Sequence, residues 1–354
     1  MRPPDKLAAM DDSSKAPRAE PAAEAGGQRP RTPWRRSRLV RFASWAATLA
    51  IAVYAAVRLL GLDAGWPLVT TIAFTPYAVL AALGWAAVQA AVRHWPAVAA
   101  SAALAVAMGA AVAPRAFADD QPAASGPELT IMSVNLHVST ANLEYVVSLV
   151  EAHEPDLLSV QEVTPHAQDE LARLGLEELM PHSVITSGWA AEGTALYSRH
   201  PIERLEQAEP DGIFYQVAAE VSLPGDRQVR FLAVHTAAPR APHRIPDWEQ
   251  DFAQLPRPDE GVPWILAGDF NATLDHHLMR DLIDAGYTDA ADAAGRGLDM
   301  TWRPVTGYLR GLVRPPAIAL DHVLADERAA VLDFQVLDRD GSDHAPILAE
   351  VRLP

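Results

Sequence analysis

No cysteine occurs among the 354 residues, so disulfide staples and thiolate metal centres are excluded. That absence leaves the compartment open, because an exported chain can fold without bridges. Lysine is missing from residues 116–354, where 16 Arg stand against 39 Asp and Glu for a net charge of −23. A region this acidic repels a polyanion over most of its surface, which disfavours nonspecific binding of long DNA or RNA. No internal repeat is present. Charge is missing altogether from three apolar stretches, 42–57, 64–92 and 95–114.

What surrounds those stretches gives them meaning. Residues 1–33 are rich in Pro, Ala and charge without apolar periodicity, the composition of a disordered tail. A basic run follows, with Arg29, Arg31, Arg35, Arg36, Arg38 and Arg41. A spanning helix needs about 20 mainly apolar residues. The second and third stretches reach that length, and the first does so with Arg58 snorkelling at its end. Three transmembrane helices are therefore expected over 42–114, after a basic cytoplasmic tail over 1–41. The arginine run keeps the N-terminus cytoplasmic, Arg93 and His94 return to that side, and the remainder is placed outside. Residues 115–127 read as a linker, and 128–354 as one globular domain.

The globular part mixes strand-like and helix-like segments. Strands are predicted over 129–136, 156–163, 183–186, 194–198, 214–223, 229–235, 263–269, 318–324, 331–337 and 347–352. Helices are predicted over 142–153, with Asn142 as its cap, 165–174, 247–255 and 276–285. Adjacent hairpins interleaved with βα units indicate an α/β sandwich rather than a doubly wound sheet. Two long irregular links, 239–246 and 295–316, are placed where recognition loops would sit.

Several predicted strands end in a polar residue out of keeping with the run before it. The most informative is Gly268-Asp269-Phe270-Asn271, after the apolar run 263–267. Two residues apart on extended backbone, Asp269 and Asn271 share a side. A carboxylate beside a carboxamide suits a metal ion and a phosphate oxygen held next to each other. Other strands end in Asn135, in Gln161-Glu162, in His235 and in Asp321-His322, and Ser342-Asp343-His344 follows near the C-terminus. Each fragment alone is weak, since a single histidine at a strand end is more often structural.

Taken together and in this order, the set resembles the endonuclease/exonuclease/phosphatase superfamily over residues 128–354. The resemblance implies the DNase I-like fold, a four-layer α/β sandwich, here preceded by three transmembrane helices. It implies Mg²⁺, with Mn²⁺ as substitute, on Glu162 with Asn135 and Asp343 beside it. His344 would accept a proton from the attacking water, oriented by Asp321. Asp269 and Asn271 would position the nucleophile and a phosphoryl oxygen, and His235 would bond the phosphate. The reaction implied is in-line attack of water on phosphorus. Abasic-site nucleases carry an acidic residue two positions after the asparagine; His137 stands there, which leaves a second metal open, weakens a DNA-repair reading and makes His137 structural or rim-lining rather than a ligand. Arg199 is a candidate phosphate contact, although a structural salt link is the favoured reading. Trp248 and Trp302 are assigned either to the rim or to the core.

The layout of three spans followed by this domain also resembles the membrane-anchored teicoplanin-resistance proteins of the VanJ type. The expected function is a membrane-anchored phosphohydrolase with an extracytoplasmic catalytic domain, acting on a lipid-linked phosphate in the same bilayer. No obligate protein partner is implied. A surface nuclease is a second reading, against which the acidic charge argues. A catalytically silent binding or sensor module is a third, set back by the occupancy of every expected catalytic position.

Overall fold

The structure, a computed structural model, describes residues 38–138, 140–304 and 315–354. The expected tail over 1–33 and most of the basic run lie outside the described residues, as does much of the 295–316 link.

The N-terminal region contains helices α1 (Arg38–Leu60), α2 (Leu68–Ile72), α3 (Thr75–Ala91) and α4 (Trp95–Val112). Among the described residues, two helical segments are long and apolar enough to cross a membrane by length and composition, Arg38–Leu60 and Trp95–Ala116. The 64–92 stretch, expected as one span, is instead broken at Ala73–Phe74 into α2 and the 17-residue α3. Small side chains let the three long helices approach closely, with Ala55, Ala82, Ala105 and Met108 at their shared core. A polar clasp ties the same helices. Gln89 Nε2 donates to Thr48 Oγ1 at 2.8 Å, and Thr48 Oγ1 lies 3.0 Å from Ser101 Oγ.

Arg58 does not snorkel. It is 5% exposed and its Nε donates to Asp275 Oδ1 at 2.6 Å. Arg115 grips the same carboxylate through Nη1 at 3.1 Å and Nη2 at 2.9 Å. The expected linker is likewise no free tether. Asp119 N donates to Ala293 O, Gly126 N to Leu353 O, and Val331 N to Gln121 Oε1. Buried backbone groups need partners, and these bonds strap 115–127 to the domain.

The domain opens with β1 (Glu128–Asn135), α5 (Leu143–His153), β2 (Leu157–Gln161), α6 (Pro165–Arg173), α7 (Leu176–Leu179), β3 (His182–Thr186) and β4 (Thr194–Ser198). It continues with β5 (Ile202–Arg204), β6 (Val217–Leu223), β7 (Arg227–His235), α8 (Ile245–Gln254), β8 (Trp264–Asp269), α9 (His277–Asp284), β9 (Tyr287–Asp289) and α10 (Ala290–Ala293). It closes with β10 (Asp321–Asp326), β11 (Ala330–Val336) and β12 (Ile347–Arg352). Two six-stranded sheets form, ordered β11-β12-β1-β2-β4-β3 and β5-β6-β7-β8-β10-β9. Each has one parallel pair inside antiparallel neighbours, β1 with β2 and β7 with β8.

Three apolar cores make four layers. Between the sheets lie residues such as Ile131, Leu157, Phe231, Ile265, Val323 and Ala349. Met132, Val134 and Val160 point the other way, onto α5 and α6, while Leu232, Val234 and Leu266 meet Trp248 and Phe252 of α8 and Met279 of α9. The period of two along each strand produces this division. Asn142 caps α5 as expected, its side chain accepting from Tyr145 N at 3.2 Å. The short strands β5 and β9 were not foreseen, since three residues show no alternation. The strand expected from 214 begins only at Val217, because Phe214 turns aside to stack on His235.

Candidate active site

The inward row of β1 reads Leu129, Ile131, Ser133, Asn135, and that of β7 reads Val229, Phe231, Ala233, His235. In β8 it is Ile265, Ala267, Asp269, and β10 runs back from Ala325 through Val323 to Asp321. Each row is apolar inside the sandwich and becomes polar at one end. Register brings those ends together: Asn135 pairs with Gln161, His235 with Asp269, and Asp321 with Asp269. Gly268 makes the close approach possible, since a Cβ there would lie 2.0 Å from the carbonyl oxygen of Val234.

Of the nine residues predicted for the site, eight converge. Asn135 Nδ2 donates across the sheets to Asp269 Oδ2 at 3.1 Å and reaches Glu162 Oε1 at 3.4 Å. Glu162 Oε2 accepts from the Val138 amide at 2.6 Å, and Asp269 Oδ1 from the Asn271 amide at 2.8 Å. His344 Nδ1 lies 2.9 Å from Asp321 Oδ2, and its Nε2 lies 3.6 Å from Asp269 Oδ2. Thr301 Oγ1 donates to Asp321 Oδ2 at 2.6 Å and fixes that carboxylate. Asp343 Oδ2 accepts from Trp302 Nε1 at 2.9 Å. Asn271 Nδ2 is bonded to Thr236 O, and His235 Nε2 stands 3.9 Å from Asp269 Oδ2.

Arg199 is the exception. Strand β4 runs antiparallel to β2, so Ser198 pairs with Leu157 and Arg199 emerges at the end of the sheet opposite Glu162. Its ion-pair contact is Glu154, at 4.0 Å, away from the other eight. The basic side chains at the site mouth are instead Arg240 and Arg244, which with His243 line a cavity of about 430 Å³ together with Glu162, Asp269 and His344. They come from the 239–246 link, whose irregularity and length were the only signals. Trp248 is fully buried core, while Trp302 holds Asp343 and His137 sits half-exposed at the rim.

Burial dominates the electrostatics. It pushes the Glu162 carboxyl up, although the His344 charge opposes this. It pushes Asp269 up to about 7, again against the pull of His344. Burial alone would lower His344, but the carboxylates of Asp321 and Asp269 outweigh it and raise the imidazole to about 10. His235 is pushed down to about 3 by burial and by the neighbouring His344 charge. At neutral pH the site thus holds one imidazolium, one neutral imidazole and a carboxyl near its midpoint.

Among the described residues, two buried atoms of this site make no hydrogen bond, Asp343 Oδ1 and His235 Nδ1. Asp343 Oδ1 has only the His137 and His344 rings near it, at 3.5 and 4.0 Å, and lines the same cavity as Glu162, where a hard divalent cation would satisfy it. Asp269, Asp321 and His344 also bring ligand atoms within 4.8 Å of one another. There, however, His344 Nδ1 is already engaged by Asp321 at 2.9 Å, and the surrounding carboxylates raise the imidazole and favour its protonated form over a lone pair for a metal. The Glu162, Asn135 and Asp343 side fits a cation better.

The profile of the Endonuclease/Exonuclease/phosphatase family matches residues 132–344, more than half of the chain, and the protein belongs to this family. Members of the family are generally metal-dependent hydrolases. Among solved structures, an endonuclease/exonuclease/phosphatase from Beutenbergia cavernae is 20% identical, with a TM-score of 0.50 over 64% of this chain and 72% of that one. A family protein from Bacteroides thetaiotaomicron is 16% identical, TM-score 0.45, covering 65% of this chain and 99% of that chain. A humanized D. rerio TDP2 is 16% identical, TM-score 0.48, covering 63% and 98%. No curated protein matches the sequence.

Proposed function

We propose that the protein is a membrane-anchored, divalent-metal-dependent phosphoester hydrolase, of the VanJ-like layout, whose catalytic domain faces outward and acts on a lipid-linked phosphate. The observation that carries the hydrolase reading is the meeting of Glu162, Asp269 and His344 in the lining of one cavity, with Asn135 and Asp321 bonded to them from behind. Glu162, Asn135 and Asp343 would hold Mg²⁺ or Mn²⁺, which when bound neutralises charge on the phosphoryl oxygens.

The chain's own residues divide the remaining work. Asp321 holds His344 through Nδ1, which leaves Nε2–H aimed toward the cavity and Asp269. A cationic His344 suits donation to a phosphoryl oxygen, where negative charge grows during attack. The role expected for it from sequence, proton acceptor, then passes to Asp269, whose carboxyl titrates near neutrality and so can take the proton of an attacking water. Neutral His235 offers a ring N–H to phosphate without adding a competing proton source. Arg240 supplies fixed positive charge at the mouth of an otherwise acidic domain.

Membrane anchoring is supported by two apolar helices of spanning length and by the packed third helix between them. The basic residues before α1 support the outward placement of the domain. The experiment follows release of phosphate, or of the phosphomonoester product of a diester, by the purified full chain from polyprenyl phosphates, phospholipids, nucleotides and DNA, with Mg²⁺ and then with EDTA. Release from the lipid-linked esters that stops with EDTA is expected. Release that is indifferent to EDTA overturns the metal, and release from DNA alone overturns the substrate class.

A further inference from the structure

A second cavity, of about 810 Å³, lies beside the catalytic one and shares Asn271, Asp343, His137 and Arg240 with it. Its two ends differ in chemistry. The shared end carries the catalytic polar groups. The other end is walled by Val69, Ala73 and Phe74 of the α2–α3 hairpin on one side and by Trp302, Ile318 and Leu320 of the domain on the other. Ala73, Phe74, Trp302, Ile318 and Leu320 form an apolar cluster of their own, separate from the three cores of the domain. Trp66, 55% exposed, stands where the cavity meets the helical bundle. A tryptophan at a membrane–water boundary is a common anchor.

The hairpin is held against the domain rather than resting on it. His276 Nε2 donates to Val69 O at 2.8 Å, and Tyr77 Oη donates to Ala317 O at 2.7 Å. The apolar wall is therefore a fixed surface continuous with the helices below it. A water-soluble phosphate ester has no use for such a wall, whereas an amphiphile would match it from end to end.

Resting on the hydrolase reading above, we propose that this cavity is the binding groove for the apolar chain of a long-chain alcohol phosphate entering from the bilayer. The phosphoryl group lies among Asn135, Asp269 and His344, and the first part of the chain runs between the α2–α3 hairpin and the wall made by Trp302, Ile318 and Leu320. Arg240, at the junction of the two cavities and without an ion-pair partner among the described residues, meets the phosphate as it leaves the groove. Specificity for chain over headgroup is then set by residues of the membrane hairpin, outside the family domain.

The test uses the full chain in nanodiscs with Mg²⁺ and two monoesters of the same chemistry, ethyl phosphate and decyl phosphate. The decyl ester is expected to have the higher kcat/KM by about tenfold or more, since each buried methylene favours binding. Partition into the bilayer alone would also give a preference, so the deciding variant is Thr70→Trp, which fills the half-buried groove wall at α2. It should bring the decyl-to-ethyl ratio toward one. An undiminished ratio in Thr70→Trp overturns the groove. Independently of turnover, decyl phosphate brominated near mid-chain should quench wild-type tryptophan fluorescence more than that of Trp302→Phe, in metal-free protein. Equal fractional quenching in the two also overturns it. If neither ester is hydrolysed but the Trp302 quench is present, the groove stands and the hydrolase reading falls. If both esters are hydrolysed and Thr70→Trp keeps the ratio, the hydrolase stands and the groove falls.

Discussion

Two buried carboxylates only six residues apart, Asp269 and Asp275, live in opposite circumstances. Asp275 is gripped by Arg58 at 2.6 Å and Arg115 at 2.9 Å, all three nearly without solvent. Its charge is matched from both sides by guanidinium groups in hydrogen-bonding geometry. Asp269 has the Asn135 amide, the Asn271 backbone and an imidazolium at 3.6 Å, with Asp321 and Glu162 pushing against it. One cluster is satisfied and joins the helical bundle to the domain. The other is left short of positive charge, with bare acceptors nearby, and the proposed cation binding and proton transfer would draw on that shortage. Burial by itself does not mark a functional carboxylate; incomplete neutralisation does.

Mutations can break this contrast. The largest effect is expected from His344→Ala, which should lower turnover by about 10²–10⁴-fold with little change in thermal unfolding. Parallel kinetics and melting of the variant check it, and an unchanged rate would remove His344 from the chemistry. Asp275→Ala should do the reverse. Two guanidinium groups would be left buried without a counter-charge, at a cost of about 3–5 kcal/mol. A melting temperature equal to wild type would mean that the junction contributes nothing to stability. Asp269→Ala, by contrast, should abolish turnover while melting at or above the wild-type temperature.

A finer test is the pH profile. The acceptor must be deprotonated and the donor protonated, so the rate should rise as pH passes about 7 and fall as it passes about 10. Asp269→Asn should remove the rising limb from whatever activity remains. A profile that instead falls from pH 6 upward would return the proton-acceptor role to a different group. The smallest effects separate two arginines. Arg240→Ala should raise KM by about tenfold, the loss of one charge-assisted contact, whereas Arg199→Ala should stay within about twofold. Equal effects from the two would contradict the placement of Arg199 at the far end of the sheet.

The strands of the domain were largely legible because a period of two is written directly into residues such as Leu129-Ile131 and Phe231-Ala233. The polar strand ends were legible for the same reason, as breaks in an apolar row. Arg240 and Arg244 were not, since a loop has no period and its path is set by what it packs against. Arg199 misled because its segment is polar and strand-terminal, and only the antiparallel pairing of β4 shows which end it occupies. Asp275 gave no signal at all, and its partners lie 217 and 160 residues away.

Composition and periodicity by themselves determined the apolar helices, the alternating strands and the set of polar residues at strand ends, because those depend on neighbours within a few positions. Tertiary structure alone decided which ends meet, which carboxylates are neutralised and that the hairpin at 61–75 closes against the domain. Those outcomes depend on register and on charges brought together from distant parts of the chain, and electrostatic energy is a function of distance in space rather than in sequence.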